Sequence, residues 1–166
     1  MDLEERVTEL ERRMAELESA GPTAPPVEEG DFWALDALKA RHPVGRDADG
    51  AVLFTGAVRT PTGHRYEWQY GRLTESLFED DWSEAADAFA ALGHPVRLRL
   101  LREIIAGTHT AAELAALDDI GTTGQIYHHL RQLTGAGWLH STGRGRHEVP
   151  AGRMVPLLVM LSAARP

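Results

Sequence analysis

Thr122, Thr123, Gln125, His128 and Arg131 fall within one ten-residue stretch, and their spacing decides which of them can act together. A glutamine amide accepts and donates at once, which matches the N6/N7 edge of adenine, and a threonine offers a hydroxyl or a methyl to a base edge. His128 and Arg131 suit phosphate oxygens. Further on, Gly143-Arg144-Gly145-Arg146 puts two guanidinium groups on a tight turn, able to enter a minor groove or to clamp a backbone. The same turn also suits an ordinary solvated loop. These side chains can read a duplex only if rigid elements aim them together.

The flanking sequence supplies such elements. Pro95 suits the first turn of a helix, where a missing N–H costs nothing, so Leu92 to Leu101 is expected to open one. Leu98, Leu101 and Ile105 continue it at helical spacing until Gly107. Thr110-Ala111-Ala112-Glu113 is a capping-box pattern that starts a short helix ending near Leu117. Gly121 breaks the chain. Thr122 or Thr123 then caps a third helix with Ile126, Leu130 and Leu133 on its inner face. That leaves Thr122, Thr123, Gln125, His128 and either Arg131 or Gln132 on the outer face. His129 borders the apolar face and is expected to be a satisfied structural histidine. Beyond Gly135 and Gly137, residues 138–149 spell a hairpin with the arginines at its tip. A helix, a turn, a second helix with a polar start and a basic hairpin is the layout a DNA reader needs.

Leu92–Leu101 resembles the opening helix of the ArsR-type winged helix regulators. Gln125–Leu133 followed by Gly135-Ala136-Gly137-Trp138-Leu139 resembles their recognition helix and the entry to the wing. The resemblance covers residues 82–166, about half the chain. It implies a dimeric transcriptional regulator, commonly a repressor released by a small effector. Many members of that family sense metals or arsenic through cysteine thiolates. This chain has no cysteine, so thiolate sensing is excluded.

Composition agrees with a small regulator. At 166 residues the chain suits one domain plus an extension. No apolar run approaches a membrane span of ~20 residues, and the charged N-terminus carries no signal-peptide apolar region. Without cysteine neither disulfides nor thiol redox can operate, which fits the cytoplasm. The net charge of −8 hides an asymmetry: residues 1–90 hold 9 Lys and Arg against 20 Asp and Glu, whereas residues 91–166 hold 8 Arg against 5 acids. The second part is therefore basic by 3, and six of the eight histidines lie in it. So small an excess acts through local placement and dimerisation.

Residues 1–20 form a separate pattern. Leu3, Val7, Leu10, Met14 and Leu17 make a heptad seam with Val7 and Met14 at a. Arg6 and Arg13 at g face Glu11 and Glu18 at e of a partner only in a parallel pair, so the expected state is a parallel homodimer. The alternative is an amphipathic helix folded back on its own domain. Residues 21–30 are a linker by composition, rich in proline and poor in apolar side chains.

Residues 31–81 are expected to form a helix plus β-hairpin extension. Asp31 can cap a helix carrying Phe32, Trp33, Leu35 and Leu38. Residues 51–59 and 64–70 read as strands joined by Thr60-Pro61-Thr62-Gly63 in a type I turn. Alternation puts Tyr66, Trp68 and Tyr70 on one face. A lone hairpin is marginal in water, so that face should be covered by the Phe32–Leu38 helix, the winged helix body or a partner subunit. Trp33, Trp68 and Tyr70 then line an effector pocket, or else they are core and dimer packing.

Other chemistries fit less well. His140, His147 and Glu148 flank the hairpin, and His128 and His129 are adjacent, but adjacent helical residues diverge by about 100°, unlike a tetrahedral zinc set. Residues 154–161 hold no His, Asp or Glu. They suit a helix buried in a dimer interface and leave no metal expected there. No phosphate-cradling glycine loop, zinc-hydrolase helix or nucleophile elbow is present, so neither an enzyme nor a cofactor is expected. The fold expected is α+β and mainly helical. It comprises a coiled-coil helix, a helix plus β-hairpin extension, and a winged helix-turn-helix domain over residues 82–166. The function expected is a sequence-specific regulator of double-stranded DNA, a homodimeric repressor released by a small effector that no thiolate holds, and independent of membranes. A protein-interaction adaptor built on the same winged helix is the alternative.

Overall fold

The computed structural model describes residues 6, 7, 9, 12, 32–46, 48–118 and 120–164. The chain divides into two units, Met1–Ala37 and Leu38–Pro166. In the first, Arg6, Val7, Glu9 and Arg12 are helical, and the Arg12 guanidinium meets the Glu9 carboxylate one turn earlier at 2.7 Å. The remaining positions of the expected heptad seam, its partners Glu11, Arg13 and Glu18, the linker and Asp31 lie outside the described residues. Helix α1 (Trp33–Arg41) spans the boundary between the units, and none of its residues is buried.

The second unit begins with a small hairpin, β1 (Val44–Gly45) and β2 (Ala48–Asp49). The expected larger hairpin follows as β3 (Ala51–Arg59) and β4 (Arg65–Leu73), paired from Ala51↔Leu73 to Arg59↔Arg65. Its turn closes through the Gly63 N–H on the Thr60 carbonyl at 2.9 Å, and Gly63 takes the positive φ of 88° that the return into β4 requires. Strand β4 runs to Leu73, beyond Tyr70, because β3 offers a ladder partner for every added residue. Helix α2 (Thr74–Glu79), a 3-10 turn (Trp82–Ala85) and α3 (Ala86–Leu92) lead to the helical body.

Leu92 ends α3, and the expected opening helix starts three residues later as α4 (Pro95–Ile105). Gly93 caps the first, while the His94 imidazole accepts the Val96 N–H at 3.2 Å and Pro95 occupies the first turn of the second. Helix α5 (Ala111–Ala115) opens with the expected capping box between Thr110 and Glu113. Helix α6 (Thr123–Gly135) follows, then β5 (His140–Gly143), β6 (Arg146–Glu148) and α7 (Ala151–Ala163). Trp138 and Leu139, expected as strand, are 1% and 2% exposed and precede the ladder. Their side chains enter the core, and the Trp138 indole N–H donates to the Ala88 carbonyl at 2.9 Å.

The core gathers Leu100, Leu101 and Ile104 of α4, Leu114 of α5, and Ile126, Leu130 and Leu133 of α6 under Trp138 and Leu139. Apolar burial on this scale is the main favourable term for a unit of this size. Helix α7 adds Met154 and Leu157 to that core. It also packs against the β3–β4 hairpin, where the missing side chain of Gly56 makes room: a Cβ there would lie 2.7 Å from Val155 Cγ1. The aromatic face of the hairpin is thus partly covered from within the chain, with Trp68 and Tyr70 still exposed. Met154, Val155 and Leu157, part of the run expected at a dimer interface, are buried within the unit, whereas Leu161 is 37% exposed. No helix among the described residues is long and apolar enough to cross a membrane.

Candidate nucleic-acid interface

Helix α6 starts with reciprocal hydrogen bonds. Thr122, rather than Thr123, is the cap: its hydroxyl accepts the Gln125 N–H at 3.4 Å. The Gln125 amide oxygen in turn accepts the Thr122 N–H at 2.8 Å and the Thr122 hydroxyl at 3.1 Å. Gly121 is needed beside it for two reasons. Its φ is +114°, and a Cβ there would meet the Gln125 Oε1 at 2.8 Å. The N–H groups of Thr123 and Gly124, in the first turn, have no acceptor among the described residues, as expected of a helix start.

The inner face is Ile126, Leu130 and Leu133, all buried, so the helical period places Gly124, His128 and Arg131 outward. Thr122, Thr123, Gln125, His128 and Arg131 are all exposed. Arg131 makes no hydrogen bond or ion pair among the described residues. Gln132, left open with it in sequence, is engaged: Arg97 donates to its amide oxygen and to the carbonyls of Ala90 and Ala91. Arg97 thus ties the end of α3 to α6. Sequence reasoning passed over Tyr127, which is 53% exposed and one turn before Arg131. Its place one position after the buried Ile126 was the signal. Gly124 also went unremarked; a Cβ there would meet nothing within 4 Å, so packing does not require a glycine.

His129 is half-buried, with its ring 4.7 Å from that of His94. Its Nδ1 is buried without a hydrogen-bond partner, so the expected satisfied histidine is only partly satisfied. Burial, then the nearby His94 and Arg97, push its pKa below the usual imidazole value, against the opposing hydrogen bond to Gln132.

The β5–β6 hairpin turns through Arg144 and Gly145, whose φ values of 51° and 71° are the pair of positive angles a type I′ loop needs. Arg144 is the one described non-glycine residue with positive φ. It is exposed at the tip, whereas Arg146 is half-covered on the returning strand. There Arg146 bridges to Thr110, and the His147 N–H donates to the His109 carbonyl at 2.8 Å. Glu113 is held ionised below the usual carboxylate range, first by the Thr110 N–H and hydroxyl, then by the His109 N–H and the charge of Arg146.

The three aromatic residues read as an effector pocket fall in both units. Trp33 opens α1 in the first unit. Trp68 and Tyr70 stay together on β4 in the second. Tyr70 packs its ring 5.8 Å from Phe54, and a methyl on Gly152 of α7 would meet Trp68 at 3.7 Å. Their exposures of 42% and 50% mark them as the border of the hairpin–α7 contact. Among the described residues no three His, Asp or Glu side chains converge on a metal position.

Residues 92–141 match the profile of a helix-turn-helix domain family. The match runs from the end of α3 into β5, and so contains α4, α5 and α6 but only the first strand of the basic hairpin. It covers 50 of the 166 residues. A helix-turn-helix domain suggests a DNA-binding regulator. No curated protein and no solved structure matches the chain.

Proposed function

We propose that the protein is a homodimeric, sequence-specific regulator of the ArsR-like winged helix type, a non-enzymatic repressor that leaves its operator when a small effector binds. The observation that carries this reading is the outer face of α6. Arg131, His128 and Tyr127 are exposed and, apart from an edge contact of His128 with His129 at 5.7 Å, unengaged, while the inner face is anchored in the core. The two free N–H groups at Thr123 and Gly124 add an anion site at the helix start. Gly124, which packing does not require, lets a nucleic-acid backbone approach that turn closely. Arg144 then supplies a phosphate or minor-groove contact from the wing, and Arg146 a second one nearer its base. Thr122 and Thr123 border the base edges. The heptad pattern of residues 1–20 supports a parallel coil that raises the effective concentration of the two DNA-binding units, and the linker frees half-site spacing from the coil. Trp68 and Tyr70 serve packing in this scheme, and Trp33 has no assigned ligand.

Site selection from random duplexes, followed by binding isotherms over a range of salt, tests the reading. The expected result is one enriched two-fold symmetric motif and a steep salt dependence. Arg131→Ala and Tyr127→Ala should weaken binding without moving the melting temperature. No enrichment and no salt-dependent duplex binding would leave the adaptor alternative, in which the winged helix binds a protein.

A further inference from the structure

A cavity of about 380 Å³ lies where the β3–β4 turn, the end of α4 and strand β6 meet. That volume falls within the range of small-molecule sites. One wall is polar: Thr60, Thr62 and His64 form a chain in which the hydroxyls of Thr60 and Thr62 are 2.9 Å apart and Thr62 is 2.9 Å from His64 Nδ1. Thr60 is the one buried polar residue among those described. Ile104, Ile105, Val149 and Met154 also line the cavity and give it an apolar part, of which Ile105 is the half-buried member. Arg146 and Glu148 line it from β6. The Arg146 guanidinium makes no hydrogen bond and no ion pair among the described residues, although the residue is half-covered. Its charge is felt by the Glu113 carboxylate, yet no hydrogen bond among the described residues occupies its N–H groups, which leaves them open to an acceptor in the cavity. Its planar fork fits a carboxylate with two parallel hydrogen bonds.

We propose that this cavity binds a small monocarboxylate with an apolar body, its carboxylate on Arg146 and its body against Ile104, Ile105 and Met154. One guanidinium opposed by Glu148 favours a single negative charge over a phosphate dianion. A hydroxyl or amine on the body finds acceptors in Glu148 and the threonine hydroxyls. Building on the regulatory reading above, the proposal moves the effector site from the aromatic trio to the base of the wing. A carboxylate on Arg146 withdraws that cation from DNA phosphate, so ligand and DNA oppose each other, and by linkage the opposition is reciprocal.

Calorimetric titration of the full chain without DNA, at constant ionic strength, tests this with sodium benzoate against benzamide. Benzoate should saturate with a Kd below about 1 mM, and benzamide should bind at least about tenfold more weakly. Arg146→Gln should lose about tenfold or more of the benzoate affinity. Ile105→Trp, which fills the cavity while leaving the outer face of α6 and Arg144 at the wing tip unchanged, should lose benzoate binding and keep the sequence preference of DNA binding. Melting curves confirm that each variant is folded, and Ile105→Trp carries the test if Arg146→Gln is not. Absence of benzoate binding, equal binding of benzoate and benzamide, or unchanged benzoate affinity in the folded variants would overturn the proposal. Duplex affinity of the unmodified protein, measured with and without benzoate, separates the two claims. Benzoate binding without any DNA binding sinks the regulatory reading and keeps the cavity, whereas DNA binding without benzoate binding does the reverse.

Discussion

The Gln125 amide oxygen accepts both the N–H and the hydroxyl of Thr122, so the glutamine best suited to read adenine also holds the start of its own helix. Its Nε2 hydrogens remain available to a base. A two-bond contact with adenine needs the oxygen as well, and the capping box must open to release it.

Comparing Thr122→Ala with Gln125→Ala separates the two roles. Each should cost about 1 kcal/mol of stability through the lost cap. If Gln125 also reads a base, its replacement should cost a further ~1–3 kcal/mol on the preferred DNA site alone. Equal affinities of the two variants, measured on preferred and scrambled duplexes, would reduce Gln125 to a capping residue.

Arg144 sits in a left-handed conformation that costs an ordinary side chain roughly 1 kcal/mol. Arg144→Gly should therefore leave stability unchanged or raise it by up to ~1 kcal/mol. The same change should weaken DNA binding across all sequences and lower the salt slope by about 1. Chemical denaturation and salt-dependent isotherms check the two signs. A variant that is more stable and binds DNA just as well would remove Arg144 from the interface.

Gly56 is the point of closest approach between the hairpin and α7. Gly56→Ala should cost about 1–3 kcal/mol, since the new methyl collides with Val155. Adding Val155→Ala should recover part of that loss, a coupling that two separate lesions would not show. Urea midpoints of the single and double variants measure it. Additive losses would mean that the hairpin does not dock on α7 in solution.

Burial lowers the pKa of both His129 and His147, and the Nδ1 of each lacks a partner. In the unfolded chain these imidazoles protonate near pH ~6.5, whereas the folded protein resists protonation until lower pH. Stability should therefore be full above about pH 6.5 and decline as pH falls towards the folded values. His129→Gln with His147→Gln should flatten that decline. Denaturation at several pH values decides, and an equally steep fall in the double variant would assign the acid sensitivity to other groups.

Several parts of the site were legible because their causes lie within a few residues. The Thr110–Glu113 box, Pro95 in the first turn, the Thr60–Gly63 turn and the Ile126, Leu130, Leu133 stripe each depend on spacing alone. Where a boundary missed, the deciding contact was distant. Trp138 leaves the expected strand because its indole reaches Ala88, and the helix expected at Leu92 starts at Pro95 because Gly93 and His94 form a break between two helices.

The sequence by itself determined the order of the helices, the inward and outward faces of α6 and the cationic turn, because hydrogen-bond periodicity and side-chain size act locally along a chain. Only the tertiary structure decided that α7 packs on the aromatic hairpin at Gly56, that Arg97 rather than solvent holds Gln132, and that Arg146 lines a cavity at the base of the hairpin. Those outcomes join residues tens of positions apart. Each depends on which of several chemically equivalent surfaces is brought within van der Waals or hydrogen-bond reach when the core closes, and spacing along the chain carries no record of that choice.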